Sequence, residues 1–267
     1  MRYLIALALT VLLPLQSLAQ SVDPRPPDRL ILLANGSRII DSENGAGGSI
    51  NWVHYLTPDA TLGIGGEYQE IGESEWAFGI LRGSYGWGEP GSRVTVYGEL
   101  NAGQGDESGR DYDYLVAALG VNKAFTTRFS AQLETRQIEI DRTHGNLPKL
   151  ALSYLITPRL LGTVSYANSV GGNLGTEITI ARLDYYGAAF GFFIGGATGQ
   201  ADPSVVNLPP GVTLPSNDLN EGFIGVRKTF DRGEIQLVGD YLDLGDSEKV
   251  TVTLSYTAYL GSRGRGR

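Results

Sequence analysis

The chain is expected to be all-β, an antiparallel barrel of about fourteen strands, with twelve to sixteen compatible with the same pattern. Three observations carry this expectation. Period-two alternation of apolar and polar residues recurs at intervals of roughly a dozen residues after Ala19, while helical periodicity is nearly absent there. Between Leu56 and Phe230, short turns such as Leu56-Thr57-Pro58-Asp59-Ala60 alternate with longer connections such as Gly103-Gln104-Gly105-Asp106-Glu107-Ser108-Gly109. No apolar run after Ala19 reaches the ~18 residues of a membrane helix, so if the chain spans a bilayer it must do so as a closed sheet.

In chain order, residues 1–19 read as a signal peptide. Arg2 supplies the positive start, Tyr3 to Leu15 is apolar apart from Thr10 and Pro14, and Ser17-Leu18-Ala19 offers the small residues of a cleavage site. Residues 20–27 form a proline-containing linker, residues 28–260 the barrel, and residues 261–267 a basic tail. The expected strands cover 28–38, 48–56, 61–71, 75–87, 93–103, 112–124, 128–140, 148–156, 159–168, 176–186, 189–199, 220–229, 233–243 and 249–260. Most match the ~9–11 residues of a tilted transmembrane strand.

One face of these strands is apolar and the other polar. In the last, Val250, Val252, Leu254, Tyr256, Ala258 and Leu260 oppose Lys249, Thr251, Thr253, Ser255 and Thr257; in the fifth, Val94, Val96, Leu100 and Ala102 oppose Thr95, Tyr97, Glu99 and Asn101. The seventh reverses phase at Gln137-Ile138-Glu139-Ile140, as a bulge or an extension beyond the membrane would produce. Tyr68, Trp76, Trp87, Tyr112, Tyr154, Tyr166, Tyr185, Phe190, Phe230, Tyr241 and Tyr256 lie near strand ends, where a membrane barrel carries aromatic girdles.

With the N-terminus on the periplasmic side, the short connections (57–60, 88–92, 125–127, 157–158, 187–188 and 230–232) become periplasmic turns. The others (41–47, 72–74, 104–111, 141–147, 169–175, 200–219 and 244–248) become external loops. Pro203, Pro209, Pro210 and Pro215 make 200–219 irregular and a candidate for a lid or for a segment folded into the pore mouth.

Strand parity places Glu67, Glu99, Arg128, Glu134, Arg136, Glu234 and Asp240 in the lumen. Arg82, Arg182, Asp184 and Arg227 join them only if their strands change phase or keep an ambiguous one. Arg82 would then lie almost opposite Glu99, and Arg227 on the strand beside Asp240. The charged candidates form a selectivity surface for hydrophilic solutes or simply a stabilised wet interior. Inward Gly63, Gly65, Ala118, Gly120, Gly191, Gly195 and Gly225 leave space for a passage or accommodate strand curvature.

The formal charge is −8, one unit more negative once Arg2, the single charge of residues 1–19, is removed, which disfavours a nucleic-acid partner. Many carboxylates fall in the connections, either as solvated tips or as groups bridged to lipopolysaccharide by divalent cations. The absence of cysteine excludes disulfides and thiol chemistry, and no metal-ligand spacing or nucleotide fingerprint appears, so no cofactor is expected. Only His54, directed to the outside near one rim, and His144, in a loop, are available for histidine catalysis.

On its signal peptide, turn and loop alternation and amphipathic strands, the mature chain resembles Gram-negative outer-membrane β-barrel proteins. Small barrels of the YaiO type, associated with exopolysaccharide, are similar in size and in turns like Tyr55-Leu56-Thr57-Pro58 and Phe125-Thr126-Thr127-Arg128. The resemblance implies contact with outer-membrane lipids and lipopolysaccharide, handling by the barrel-insertion machinery, and polysaccharide-export partners. The chain departs from the usual pattern where Tyr259-Leu260 is followed by Gly261 to Arg267 rather than ending on an aromatic residue. The expected function is a passive, non-enzymatic pore for hydrophilic solutes or an exported polysaccharide. The alternatives are a non-conducting structural or surface-interaction barrel and a lipid-modifying enzyme.

Overall fold

A computed structural model describes residues 26–40, 43–107, 109–140, 142–201, 218–245 and 248–261, with the Glu107 side chain excepted. The signal peptide, the tail beyond Gly261 and most of the 200–219 connection lie outside the described residues. Fourteen strands form one closed antiparallel ring in sequence order. They are β1 (Asp28–Ile39), β2 (Asn44–Tyr55), β3 (Ala60–Ile71), β4 (Ser74–Trp87), β5 (Val94–Glu107), β6 (Arg110–Ala124), β7 (Phe129–Ile140), β8 (Thr143–Thr157), β9 (Leu160–Asn168), β10 (Glu177–Tyr186), β11 (Phe190–Gln200), β12 (Asp218–Phe230), β13 (Gly233–Asp243) and β14 (Glu248–Leu260). Twelve residue pairs from Asp28↔Leu260 to Ile39↔Lys249 close β1 on β14, which leaves no sheet edge. Both ends of the barrel segment therefore sit at one rim, called here the terminal rim, and the opposite one is the far rim.

The inside and outside are inverted relative to a water-soluble protein. Leu62, Ile64, Leu119, Leu133, Phe192, Ile194, Ile224 and Val252 point outward and are exposed, whereas Asn51, Asn101, Glu134, Ser153, Asp184 and Gln236 are buried on the inside. A continuous apolar outer surface of this size is matched to hydrocarbon rather than to water. Among the described residues no helix is long and apolar enough to cross a membrane.

The turns at the terminal rim agree with expectation to within a residue or two. The far rim differs. The expected loops 104–111 and 141–147 shrink to 108–109 and 141–142, because β5, β6, β7 and β8 continue their ladder through them. Gly and Asp at these positions mark strands that have left the lipid band, where outward positions no longer need apolar side chains. The 72–73 turn, which looked anomalously short, is one of three such two-residue connections, with Gly72 at φ 56.

The phase reversal in β7 has the same origin. Its pairing with β6 and β8 runs without a register shift, and Ile138 and Ile140 point inward at 4% exposure, so the extension and not a bulge explains the pattern. Two assigned girdle aromatics are corrected for a related reason: Trp76 and Tyr112 face inward and are buried.

The inward glycines do not leave open space. A Cβ on Gly120 would strike the Tyr97 ring, one on Gly195 the Phe223 ring, one on Gly225 the Phe193 ring, and one on Gly191 the Arg227 side chain. Each glycine is a bed on which a neighbour's large side chain lies across the wall. Gly222, outward on the same strand as Gly225, meets nothing within 4 Å. Gly225→Leu is thus expected to lower barrel stability by roughly 1–3 kcal/mol through overpacking against Phe193. Gly222→Leu is expected to be close to neutral. Urea unfolding of the two variants in lipid vesicles checks the contrast, and equal losses would contradict it.

Candidate functional site

The lumen is layered. Its middle is charged on both sides, and its far rim is apolar.

On the β3 to β8 side, Arg82 Nε lies 2.7 Å from Glu99 Oε2, the cross-strand pair set by the register Arg82↔Glu99. Asn101 Nδ2 donates to Glu99 Oε1 at 2.9 Å. Glu67, on β3, receives a hydrogen bond from Gln69 Nε2 at 3.1 Å. Farther round, Glu134 is 3% exposed and fully engaged. Its Oε1 accepts from Arg136 Nε at 2.8 Å, its Oε2 accepts from the Tyr97 hydroxyl at 2.6 Å, and Lys149 Nζ stands 3.9 Å away. Gln132 Nε2 donates to the Tyr97 oxygen and also to Glu134 Oε2 at 3.3 Å.

On the β10 to β14 side, Arg182 grips Asp184 with two bonds of 2.7 Å, Nε to Oδ2 and Nη2 to Oδ1. Its guanidinium carbon stands 3.9 Å from the centre of the Phe193 ring. Arg227 lies over Tyr186 at 4.2 Å. Asp240 is inward opposite Phe223 and Thr251, with Glu221 and Lys249 inward on the adjoining strands.

The four conditional residues, Arg82, Arg182, Asp184 and Arg227, therefore all point inward, on strands that keep a single phase. What made the sequence ambiguous is that Trp76, Phe78, Ile80, Ile178, Ile180, Phe193 and Phe223 are inward too. Arg128 is a correction. It is exposed in the turn before β7, where Thr126 Oγ1 accepts from the backbone N–H groups of Arg128 and Phe129 at 3.1 and 2.9 Å, although the Arg128 carbonyl still accepts from Leu155 N–H of β8 at 2.8 Å. Arg227 and Asp240 are on neighbouring strands but do not face each other, since Arg227 pairs in register with Gln236. Glu234 accepts from Thr229 Oγ1 at 3.0 Å. Sequence reasoning left out Lys149 and Glu221, although parity alone puts each on the polar face of its strand, and set Lys249 on that face without counting it among the lumen charges.

At the far rim, inward Ile39, Ile71, Trp76, Ile178, Ala197, Leu219, Leu242 and Leu244 form one buried cluster, drawn from β1, β3, β4, β10 to β13 and the connection after β13. Strands β3 and β10 stand seven apart in the ring of fourteen, on opposite walls. A second cluster, Tyr112, Val116, Ile138, Ile140, Leu147, Ala167 and Leu174, covers β6 to β9. Phe78, packed on the first, stacks on Tyr114, packed on the second, at 4.8 Å. At this level β2 and β5 contribute glycines, with Ile71 lying over Gly45 and Tyr112 over Gly105. Leu174 reaches in from the connection after β9 and lies against Gly145.

Exposure shows what the layer does. Half-way down, Arg82 and Arg136 keep 31% and 32% of their side-chain surface, whereas Ile71, Leu219 and Leu242 keep 1%, 2% and 3%. The inward side chains of the far rim are packed into a dry apolar layer that runs round the wall.

Outside this rim stands a crown of carboxylates. The Tyr68 hydroxyl is placed 3.0 Å from Glu70 and 2.9 Å from Glu75, and Tyr166 donates to Glu177 at 3.0 Å. Of the two histidines, His54 faces outward at the terminal rim with Nδ1 2.7 Å from Asp28 Oδ2, and His144 is exposed on β8, which begins at Thr143 rather than beyond it. Among the described residues no group of three or more His, Cys, Asp or Glu side chains could hold a metal.

No protein-family model matches the chain, and no curated protein matches it by sequence. Solved structures do. The CymD monoaromatic hydrocarbon channel superposes with a TM-score of 0.64 at 10% identity, over 90% of each chain. The toluene transporter TodX of P. putida gives 0.52 at 10% identity over 92% of each chain. The Acinetobacter baumannii outer membrane protein Omp33 gives 0.54 at 8% identity, over 88% of this chain and 99% of that one. At such identities the likeness establishes architecture: the chain has the fold of bacterial outer-membrane β-barrels, closed with fourteen strands.

Proposed function

We propose that the chain is a non-enzymatic outer-membrane channel that gives small hydrophilic solutes a passive route and rests with its far rim shut. The observation that carries this reading is the layering of the lumen, a charged and partly exposed middle beneath an apolar layer. Charged middles of this kind select solutes, and apolar constrictions gate by excluding water. The neighbours named above as channels support passage as the role of this architecture. An exported polysaccharide chain is the larger member of the same solute class.

On this reading the termini lie in the periplasm. The even strand number puts both at one rim, which carries the short turns and exposed basic groups such as Arg128, Arg159 and Arg232. The carboxylate crown then faces outward, where divalent cations bridge such groups to lipopolysaccharide. The barrel-insertion machinery is the expected assembly partner, reading β14 ahead of the Gly261 to Arg267 tail.

A second reading, a non-conducting surface barrel, is favoured by the dryness of that apolar layer. Liposome swelling separates the two. Vesicles bearing the wild-type barrel are expected to swell in arabinose faster than empty vesicles, and faster still when the apolar layer is cut back. Swelling at the empty-vesicle rate in both cases would overturn the channel reading.

A further inference from the structure

We infer that Arg227 is a binding station for a small carboxylate-bearing solute, inside the lumen near the terminal rim. The inference rests on the channel reading and names one solute class for it.

The other lumen cations described above have carboxylates: Arg82 has Glu99, Arg136 and Lys149 share Glu134, Arg182 holds Asp184, and Lys249 is attracted by Asp240 on the adjoining strand. Arg227 has none among the described residues. It is held instead by an aromatic face, its guanidinium 4.2 Å from the Tyr186 ring centre, and by the bare backbone of Gly191, where a Cβ would meet the Arg227 side chain at Nε and Cγ.

The difference is electrostatic. A carboxylate cancels the field of the arginine it pairs with, whereas a ring quadrupole attracts the cation and leaves its net charge in place. Arg227 Nη2 is also buried without a hydrogen-bond partner, a deficit that folding does not repair. Glu234, the nearby carboxylate on β13, accepts a hydrogen bond from Thr229 and forms no ion pair with Arg227 among the described residues. Gln236, 8% exposed, stands directly across from Arg227 and adds an amide donor. A guanidinium fork beside an amide suits a planar carboxylate, which accepts two parallel hydrogen bonds. Tyr186 fixes the plane of the fork beforehand, so little rotamer freedom is lost when the solute arrives.

The test uses the full mature chain refolded in detergent, with citrate as the probe, followed by titration calorimetry. Wild-type barrel is expected to bind citrate, and Arg227→Gln to bind at least about tenfold more weakly, as expected for loss of a charge-assisted bidentate contact. Lys228→Gln removes the same formal charge from the outward face of the same strand and is expected to bind as wild type does. No binding to the wild type, equal binding to Arg227→Gln, or an equal loss in Lys228→Gln would each overturn the assignment. If Arg227→Gln does not fold, Arg227→Lys keeps the charge without the fork and is expected to bind about threefold more weakly; unchanged binding there overturns it too. Because calorimetry does not depend on conductance, a barrel that binds citrate but never conducts defeats the channel reading and leaves the station standing.

Discussion

The double variant Trp76→Ala with Ile178→Ser is expected to conduct far more of the time than the wild type. Trp76 on β4 and Ile178 on β10 belong to the same buried cluster from nearly opposite walls of the ring. Each is almost inaccessible, at 6% and 7%. Cutting back Trp76 removes the largest side chain of the layer, and a hydroxyl at 178 lets water wet the gap, so the barrier that excludes ions falls. The truncations also cost packing, of the order of 3–5 kcal/mol for a buried Trp→Ala. The variant must therefore first be shown to migrate as a folded barrel, unheated against heated, on a gel. A folded variant that opens no more often than wild type would show that the layer is not the barrier.

The largest stability effect is expected at Glu134. Glu134→Ala leaves Arg136 without its 2.8 Å partner, Tyr97 without its acceptor, and Lys149, only 11% exposed, without its counter-charge. Removing one member of a buried pair typically costs about 3–5 kcal/mol, and the lower end applies because Arg136 keeps a third of its surface. Glu134→Gln preserves an acceptor for Tyr97 and is expected to lose less. Glu139→Ala, five residues along on the exposed outer face of the same strand, is expected to stay within about 0.5 kcal/mol of wild type. Urea unfolding in vesicles ranks the three, and a Glu139→Ala loss as large as that of Glu134→Ala would contradict the network.

The wall of the barrel was legible in the chain because lipid enforces a simple rule on it. Wherever a strand crosses hydrocarbon its outer positions must be apolar, so β5 and β14 read correctly residue by residue. The rule lapses in two places. Above the lipid band the outside turns polar and the inside apolar, which made the β7 extension at Ile138 and Ile140 look like a change of phase and turned the ends of β5 and β8 into loops. Inside the barrel no single polarity is required, so Trp76 and Tyr112 read as girdle residues and Arg82 and Arg182 as uncertain. Arg128 shows a third cause. Parity carries no weight at a residue whose side chain lies exposed in the Thr126 turn, before the strand begins.

Composition gave no sign of the apolar layer itself. Its members come from eleven strands and three connections, each strand contributing one to three residues at the end of an otherwise polar inner face. Only closure of the ring brings them to one level. The arginine at 227 is similar: its inward direction follows from Gly225 and Phe223 on the same face, but its lack of a carboxylate depends on the register that sets Gln236 rather than Asp240 opposite.

Single-channel recording in planar bilayers of the folded wild type beside Trp76→Ala with Ile178→Ser tests the central claim most directly. A polar passage shut by an apolar layer predicts sparse, uniform steps from the wild type and sustained steps of the same or larger size from the variant. Silence from both, with each shown to be folded and inserted, would contradict it.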